Sequence, residues 1–237
     1  MTIGSGMASD PPAALWYDRP HAPRTSRVGV TTRIAVDDTM EHWNLAYARR
    51  GVTGVSWYEP TPRVSWEIIS SLGVPLDGPV VDVGGGASGL AEVLVRNGYS
   101  DVTVVDVSDL AVREVEPKAS AALVVLRQNV LTWQPTRRYQ LWHDRAVFHF
   151  FVEPERRDAY LRVLDASLTA GAFVVLGVFA PDGPDRCSGL RVQRYDQDDL
   201  QRLLGEKYAI RVASRATHVT PGGVKQPFTW VAFQRQM

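Results

Sequence analysis

The stretch VVDVGGGASGL, residues 80–90, decides how the rest of the chain is read. An apolar run broken only by Asp82 leads into Gly84, Gly85 and Gly86 and then into residues that open a helix, the pattern of a buried strand, a tight turn and a helix start. Glycines there let the backbone adopt positive φ and approach a ligand closely. Free N–H groups at the helix start favour electron-rich ligand atoms. The next strand, DVTVVDVS over residues 101–108, closes on Asp106, where a strand-end carboxylate accepts hydrogen bonds from ribose hydroxyls. Together the two stretches predict a nucleotide-type pocket at the carboxyl edge of a sheet.

Gly84, Gly86 and Gly89 satisfy the G-x-G-x-x-G spacing, so an NAD-dependent oxidoreductase stays open as an alternative. Asp82 points elsewhere, because a charge at the end of an otherwise apolar strand needs a partner. Here the chain resembles the class I S-adenosylmethionine-dependent methyltransferases, whose first motif is D/E-x-G-x-G-x-G. Asp82, Gly84 and Gly86 match it, and Ser88 departs at the third glycine. The resemblance runs from Met40 to the C-terminus. It is closest to a broad bacterial group with HW, DVGGGAS, HDRAVFHF and CSGL patterns, and it is similar to eukaryotic protein-lysine methyltransferases of the elongation-factor type.

The resemblance implies S-adenosylmethionine as cofactor and a three-layer, doubly wound α/β fold. Its mostly parallel seven-stranded sheet would close with an antiparallel C-terminal hairpin strand. It implies that Asp106, with Val107, holds the ribose, and that Asp82 organises the turn Gly84, Gly85, Gly86 and the methionine amino group. Asn129 and Val130 would stand near adenine, Asn129 replacing the family's acidic residue but still able to accept from the N6 amine. Trp43, Tyr47 and Trp57 would form an aromatic lid, while Trp43 and Tyr47, at i and i+4, equally suit one face of an amphipathic helix packed on the core. A cofactor-binding protein without catalysis is a further alternative.

Composition narrows the rest. At 237 residues and 45% hydrophobic content, the chain suits one α/β domain with additions. Lysine and arginine (26) balance aspartate and glutamate (26), so no global charge draws the chain to nucleic acid or to an anionic membrane. Cys187, the single cysteine, cannot form an internal disulfide, which fits a reducing compartment. With no signal-peptide core, membrane-spanning run or zinc spacing, a cytoplasmic protein without a metal site is expected. Residues 1–39, rich in proline and arginine without periodicity, are expected to be a poorly ordered tail or the product of an early start codon.

Beyond the tail the elements alternate. Proline and glycine punctuation predicts helices over 87–97 and 154–168, with strands over 139–143 and 173–179. Helices alternating with short strands imply a parallel sheet covered on both faces. The chain then changes character: residues 208–217 and 228–233 read as two strands joined by a turn containing Pro221, Gly222 and Gly223, a hairpin where a dinucleotide domain would continue with a helix.

Candidate catalytic groups cluster in WHDRAVFHFF, residues 142–151, after the fourth strand. Asp144 is expected to face the sulfonium end or the acceptor, and His149, or less favourably His143, to serve as a base. Arg145 could pair an acid or bind an anionic substrate. Residues 180–190 read as an ordinary or substrate-facing loop, and His218 and Gln226 as surface residues of the hairpin or substrate contacts. The acceptor is expected to be a small molecule. A protein lysine is the alternative, its pocket drawn from Asp144, Glu153 and Glu155.

Overall fold

A computed structural model of the chain describes residues 36–236; the expectation for the N-terminal tail lies almost wholly outside them. Helix α1 (Val36–Arg50) comes first and already begins upstream of Met40. Then follow α2 (Arg63–Ser71), β1 (Val80–Val83), α3 (Leu90–Arg96), β2 (Val102–Asp106), α4 (Asp109–Val115), β3 (Leu123–Arg127) and β4 (Tyr139–Arg145). After these come α5 (Pro154–Ser167), β5 (Leu168–Phe179), the short strands β6 (Arg186–Cys187) and β7 (Leu190–Arg191), α6 (Gln197–Leu204), β8 (Tyr208–Val219) and β9 (Lys225–Arg235).

Seven strands form one sheet in the order β3-β2-β1-β4-β5-β9-β8, parallel from β3 to β5 and antiparallel at β5/β9 and β9/β8. This is the doubly wound sheet with a terminal hairpin that the sequence implied. The winding reverses between β1 and β4, and the crevice outside their carboxyl ends is where such sheets hold ligands.

Every residue of β1 and β2 is buried, as central parallel strands require. Alternation along the strands then divides the core in two. Trp142, Val81 and Val83 face Tyr160 and Leu164 of α5 and Leu200 and Leu204 of α6. Leu141 and Val80 face Ile68 and Ile69 of α2 and Leu90 and Leu94 of α3 on the other side. Burying each such aliphatic or aromatic side chain contributes about 1.5–3 kcal/mol, so both helical layers are held mainly by these faces.

Several boundaries differ from expectation: α3 starts at Leu90 rather than at 87, and β4, β8 and β9 run longer than read. Strand β5 starts at Leu168 rather than Phe173, because Leu168 leaves α5 with extended dihedrals and pairs with Tyr139, while the register slips before Leu141. The segment read as a loop over 180–190 contains a miniature hairpin, β6/β7, turning through Ser188 and Gly189. Both have positive φ (50° and 81°), which is what a tight two-residue hairpin turn demands.

The sheet leaves no room at Gly177 of β5, where a Cβ would stand 2.7 Å from the Trp230 ring. Gly177→Ala is expected to lower the urea midpoint by the equivalent of about 1–3 kcal/mol, the usual cost of overpacking. An unchanged midpoint would mean that the Trp230 ring yields freely.

Candidate active site

The glycine turn after β1 is shaped by close approach. Gly84 has φ 63°, and a Cβ there would lie 2.1 Å from Val147 Cγ2; at Gly86, φ 41°, it would lie 2.9 Å from Asp106 Oδ2 and 3.0 Å from Tyr47 Oη. Ser88, the departure from the family motif, accepts from the Leu90 N–H (3.3 Å), and Gly89 takes the left-handed conformation (φ 74°) immediately before α3. The turn thus obtains its last permissive residue one position late.

Asp82 finds its partner one strand away. It is paired in register with His143 of β4, whose Nδ1 donates to Asp82 Oδ1 at 2.7 Å while Nε2 meets Ser65 Oγ of α2 at 3.0 Å. Both side chains are 3% exposed. The second oxygen, Asp82 Oδ2, is buried without a hydrogen-bond partner among the described residues. A Cβ at Gly85 would stand 2.5 Å from it, so glycine is what leaves this oxygen room.

Asp82 and Gly85 line a small pocket together with Ser65, His143, Tyr47, Trp57 and Arg145. Arg145, on the same face of β4 as His143, donates from Nη2 to the Trp57 carbonyl (2.6 Å), and its Nη1 lies 3.6 Å from Glu59 Oε1. Nη1 is nevertheless buried and makes no hydrogen bond among the described residues. Glu59 also accepts from His218 of β8, whose Nε2 faces the Ser56 carbonyl at 2.7 Å. Burial works against the Glu59 charge, but His218 and Arg145 outweigh it and hold the carboxyl below its ordinary range.

Tyr47, Trp57, Gly84 and Arg145 also line a second cavity of about 460 Å³, large enough for a cofactor-sized ligand. One end carries Asp106, Val107, Gln128, Asn129 and Val130, from the loops after β2 and β3. Asp106 Oδ1 accepts from the Ser108 N–H (2.8 Å). Burial pushes the Asp106 carboxyl up to about 6, against the pull of backbone N–H groups of Ser108, Val107 and Gly86. Asn129 is also a turn residue, its amide oxygen accepting from the Leu131 N–H at 3.0 Å.

The structure brings Trp43, Tyr47 and Trp57 together. Trp43 stands edge-on to Trp57 (5.5 Å) and to Phe150 (4.9 Å), and Trp57 Nε1 donates to Tyr47 Oη at 3.1 Å. Asn44 fastens the lid: its amide oxygen accepts from Ser108 Oγ (2.8 Å) and from the Leu110 N–H (3.3 Å) at the start of α4.

The two residues expected to be catalytic do not line either cavity. Asp144 is fully buried on the α5 face; it accepts from the N–H groups of Val147 and Phe148 and from Tyr160 Oη at 2.6 Å. Period-two alternation is the reason: with His143 and Arg145 facing the ligand side, Asp144 must face the other. His149 is also fully buried, its Nδ1 accepting from the Phe179 N–H (3.3 Å) and its Nε2 unpartnered among the described residues. Burial drives its pKa down to about 3, so the ring is a neutral core group. Of the carboxylates weighed for a lysine pocket, only Glu153 reaches the cavity; Glu155 does not.

Cavity residues the sequence did not single out include Gln128, Arg156 and Arg191. Their signal was available only for Arg156, which stands in the first turn of a predicted helix beside the carboxyl edge of the sheet. Cys187 lines the cavity as well, and burial raises its thiol to about 11, leaving it protonated.

No protein-family model and no curated protein sequence matches the chain. Solved structures do. A methyltransferase from Anabaena variabilis superposes at TM-score 0.68 with 14% identity, over 90% of this chain and 100% of that one. The 1,6-didemethyltoxoflavin-N1-methyltransferase of Burkholderia thailandensis, bound to 1,6-didemethyltoxoflavin and S-adenosylhomocysteine, superposes at 0.67 with 17% identity, over 91% and 95%. A structure concerned with conversion of a disulfide bond into a thioacetal group in echinomycin biosynthesis gives 0.62 with 20% identity, over 83% and 93%. The chain has the class I S-adenosylmethionine-dependent methyltransferase fold.

His149 generates a pH prediction. Its folded pKa of about 3 lies below the ordinary histidine value, so between about 6.5 and 3 the unfolded chain takes up a proton that the folded chain refuses. Stability is therefore lost as pH falls through that window, by up to about 1.4 kcal/mol per pH unit. His149→Gln, which keeps a polar group for the Phe179 N–H, is expected to make the acid-side decline shallower in urea titrations. Equally steep declines in both proteins would assign the acid sensitivity to other groups.

Proposed function

We propose that the protein transfers a methyl group from S-adenosylmethionine to a small-molecule acceptor. The observation that carries this is the small pocket under the lid, where Asp82 Oδ2 is a buried acceptor without a hydrogen bond among the described residues and Arg145 Nη1 a buried donor that also makes none there, with Glu59 Oε1 at ion-pair distance, 3.6 Å. Leaving Asp82 Oδ2 without a donor costs about 1–3 kcal/mol or more, so the pocket favours a ligand that brings an ammonium to it, and the open Nη1 N–H of Arg145 beside it offers a place for a carboxylate. An α-amino acid head group does. The adjoining cavity continues to Asp106 and Asn129, which offer ribose and purine contacts, and methionine joined to adenosine spans both.

The same pocket argues against the NAD reading. A dinucleotide would bring its anionic pyrophosphate to the glycine turn, next to the unpartnered Asp82 carboxylate oxygen. Like charges there are unfavourable.

S-adenosylmethionine supplies a sulfonium methyl: the bond from the acceptor's lone pair to the methyl carbon forms as the carbon–sulfur bond breaks, and its electron pair stays on sulfur. The chain contributes position. Asp82 and Arg145 fix the amino-acid end, Asp106 fixes the ribose, and the ring cage of Trp43, Tyr47 and Trp57 excludes water from between them. Within the acceptor end, His42 and Glu153 are the titratable groups able to receive a proton from an O–H or N–H acceptor, with water at the cavity mouth as the other route. Burial lowers the His42 pKa, its bond to the Ser188 carbonyl opposing that, so the ring is predominantly a neutral acceptor near pH 7.

Small-molecule acceptance is supported by enclosure: α1 and the β6/β7 hairpin both contribute to the cavity wall. One of the structures sharing the fold, the 1,6-didemethyltoxoflavin-N1-methyltransferase of Burkholderia thailandensis, was solved with 1,6-didemethyltoxoflavin bound.

Calorimetry with S-adenosylhomocysteine tests the cofactor. Ribose bonds require the Asp106 carboxylate, which in the free protein protonates near pH 6. Binding must then expel that proton, so affinity is expected to be flat above neutral pH and to fall below about pH 6, approaching tenfold per pH unit. Asp106→Asn should weaken binding by about tenfold or more and flatten the profile. Tight NAD binding with no response to S-adenosylhomocysteine would reverse the assignment.

A further inference from the structure

The acceptor end of the cavity has a charge that a lysine pocket could not have. Three arginines, Arg145, Arg156 and Arg191, line it, against Glu153 and, at the far ribose end, Asp106. Arg145 is committed to the lid carbonyl and to the amino-acid pocket. The Arg156 guanidinium has no acidic partner among the described residues, and its Nε is buried without a hydrogen bond there. The group lies over the Phe151 ring, 5.6 Å from the centroid, at the cavity wall. Arg191, at the end of β7, is exposed at the same mouth and likewise has no acidic partner among the described residues.

Aromatic side chains share this wall. Trp43, Phe150 and Phe151 line the same cavity, as does Leu190 of β7. Leu190 is 37% exposed, a large apolar side chain held at the opening. Ring walls of this kind favour a planar apolar body. Unpaired guanidinium N–H groups favour a carboxylate, which they can bind in bidentate fashion.

We propose that the acceptor is a small aromatic or heteroaromatic acid, its ring held by Trp43, Phe150 and Phe151 and its carboxylate by Arg156 with Arg191. The proposal rests on the methyl-transfer reading for the direction of the ring toward the sulfonium, but the anion site is a property of this chain's own side chains. A cationic acceptor such as a lysine side chain would meet repulsion at the same place. The carboxylate serves as a handle, and the nucleophile is another group on the ring.

The test separates the two readings by measuring them in order. Calorimetry first establishes S-adenosylhomocysteine binding to the full chain, the outcome that belongs to the cofactor reading alone. The loaded protein is then titrated with matched pairs: benzoate, naphthoate, indole and quinoline carboxylates, their hydroxylated forms, and the carboxamide and aminomethyl analogue of each. At least one acid is expected to bind on the order of tenfold or more tighter than its own amide, as loss of charge-assisted bonds implies, and the aminomethyl compounds weakest of all. Arg156→Gln should erase that acid preference while leaving S-adenosylhomocysteine affinity unchanged, which also certifies the fold. Arg162→Gln, an exposed change elsewhere on α5, should keep it. If no acid outbinds its amide, or if the preference survives in Arg156→Gln, the anion site is refuted even where the cofactor binds normally.

Discussion

The site depends on a buried carboxylate that is only half satisfied. Asp82 sits at the centre of the sheet, beside the point where the strand winding reverses, and spends one oxygen on His143 across the β1/β4 boundary. That bond sets the proton on Nδ1 and aligns the ring with Ser65, so three elements, β1, β4 and α2, are tied at one place. The other oxygen meets no donor among the described residues and is given clearance by Gly85. A charge this deep is costly unless paired, and a core of the same size could have been apolar. In the proposed reading, the ammonium of the ligand would complete the pairing.

A second buried acid shows the contrast. Asp144, next door on β4, has both oxygens satisfied by Val147, Phe148 and Tyr160, and Tyr160 in turn accepts from Trp142 Nε1 at 2.8 Å. Burial lifts its carboxyl to about 6, with the Tyr160 bond pulling the other way. It holds the turn after β4 in shape and locks that turn to α5. Because Val147 of that turn packs against Gly84, Asp144 shapes the ligand site from behind without touching it.

This is also where reading from the sequence reached its limit. The strand–glycine–helix stretch, Asp106 and the terminal hairpin are legible because their signals are local: a period, a turn residue, a strand-end acid. Asp82 was legible as a charge needing a partner, though not that the partner would be His143. The misreading of Asp144 was avoidable in part, since alternation along Trp142, His143, Asp144 and Arg145 sends them to opposite faces, and accepting one pair at the ligand side excludes the other. His149 was harder. It leaves the strand through an irregular turn with Ala146 at φ 67°, where no periodicity fixes a side chain's direction.

What surrounds the strand ends was the least legible because it is assembled from far-apart segments. Asn44 on Ser108, Trp57 on Arg145, and Ser56 with Glu59 on His218 join the N-terminal lid to α4, β4 and β8. None of these bonds follows from spacing along the chain. They nevertheless determine how the lid lies over the glycine turn, and Arg145 is common to the lid and to the amino-acid pocket. A ligand carboxylate on Arg145 Nη1 would therefore bear on the group that holds the Trp57 carbonyl, and Trp57 holds Tyr47 and Trp43 in turn. The small pocket and the aromatic wall of the larger cavity are thus joined through one guanidinium, and under the proposed function the order of the wall that an acceptor meets would depend on what occupies the pocket beneath it.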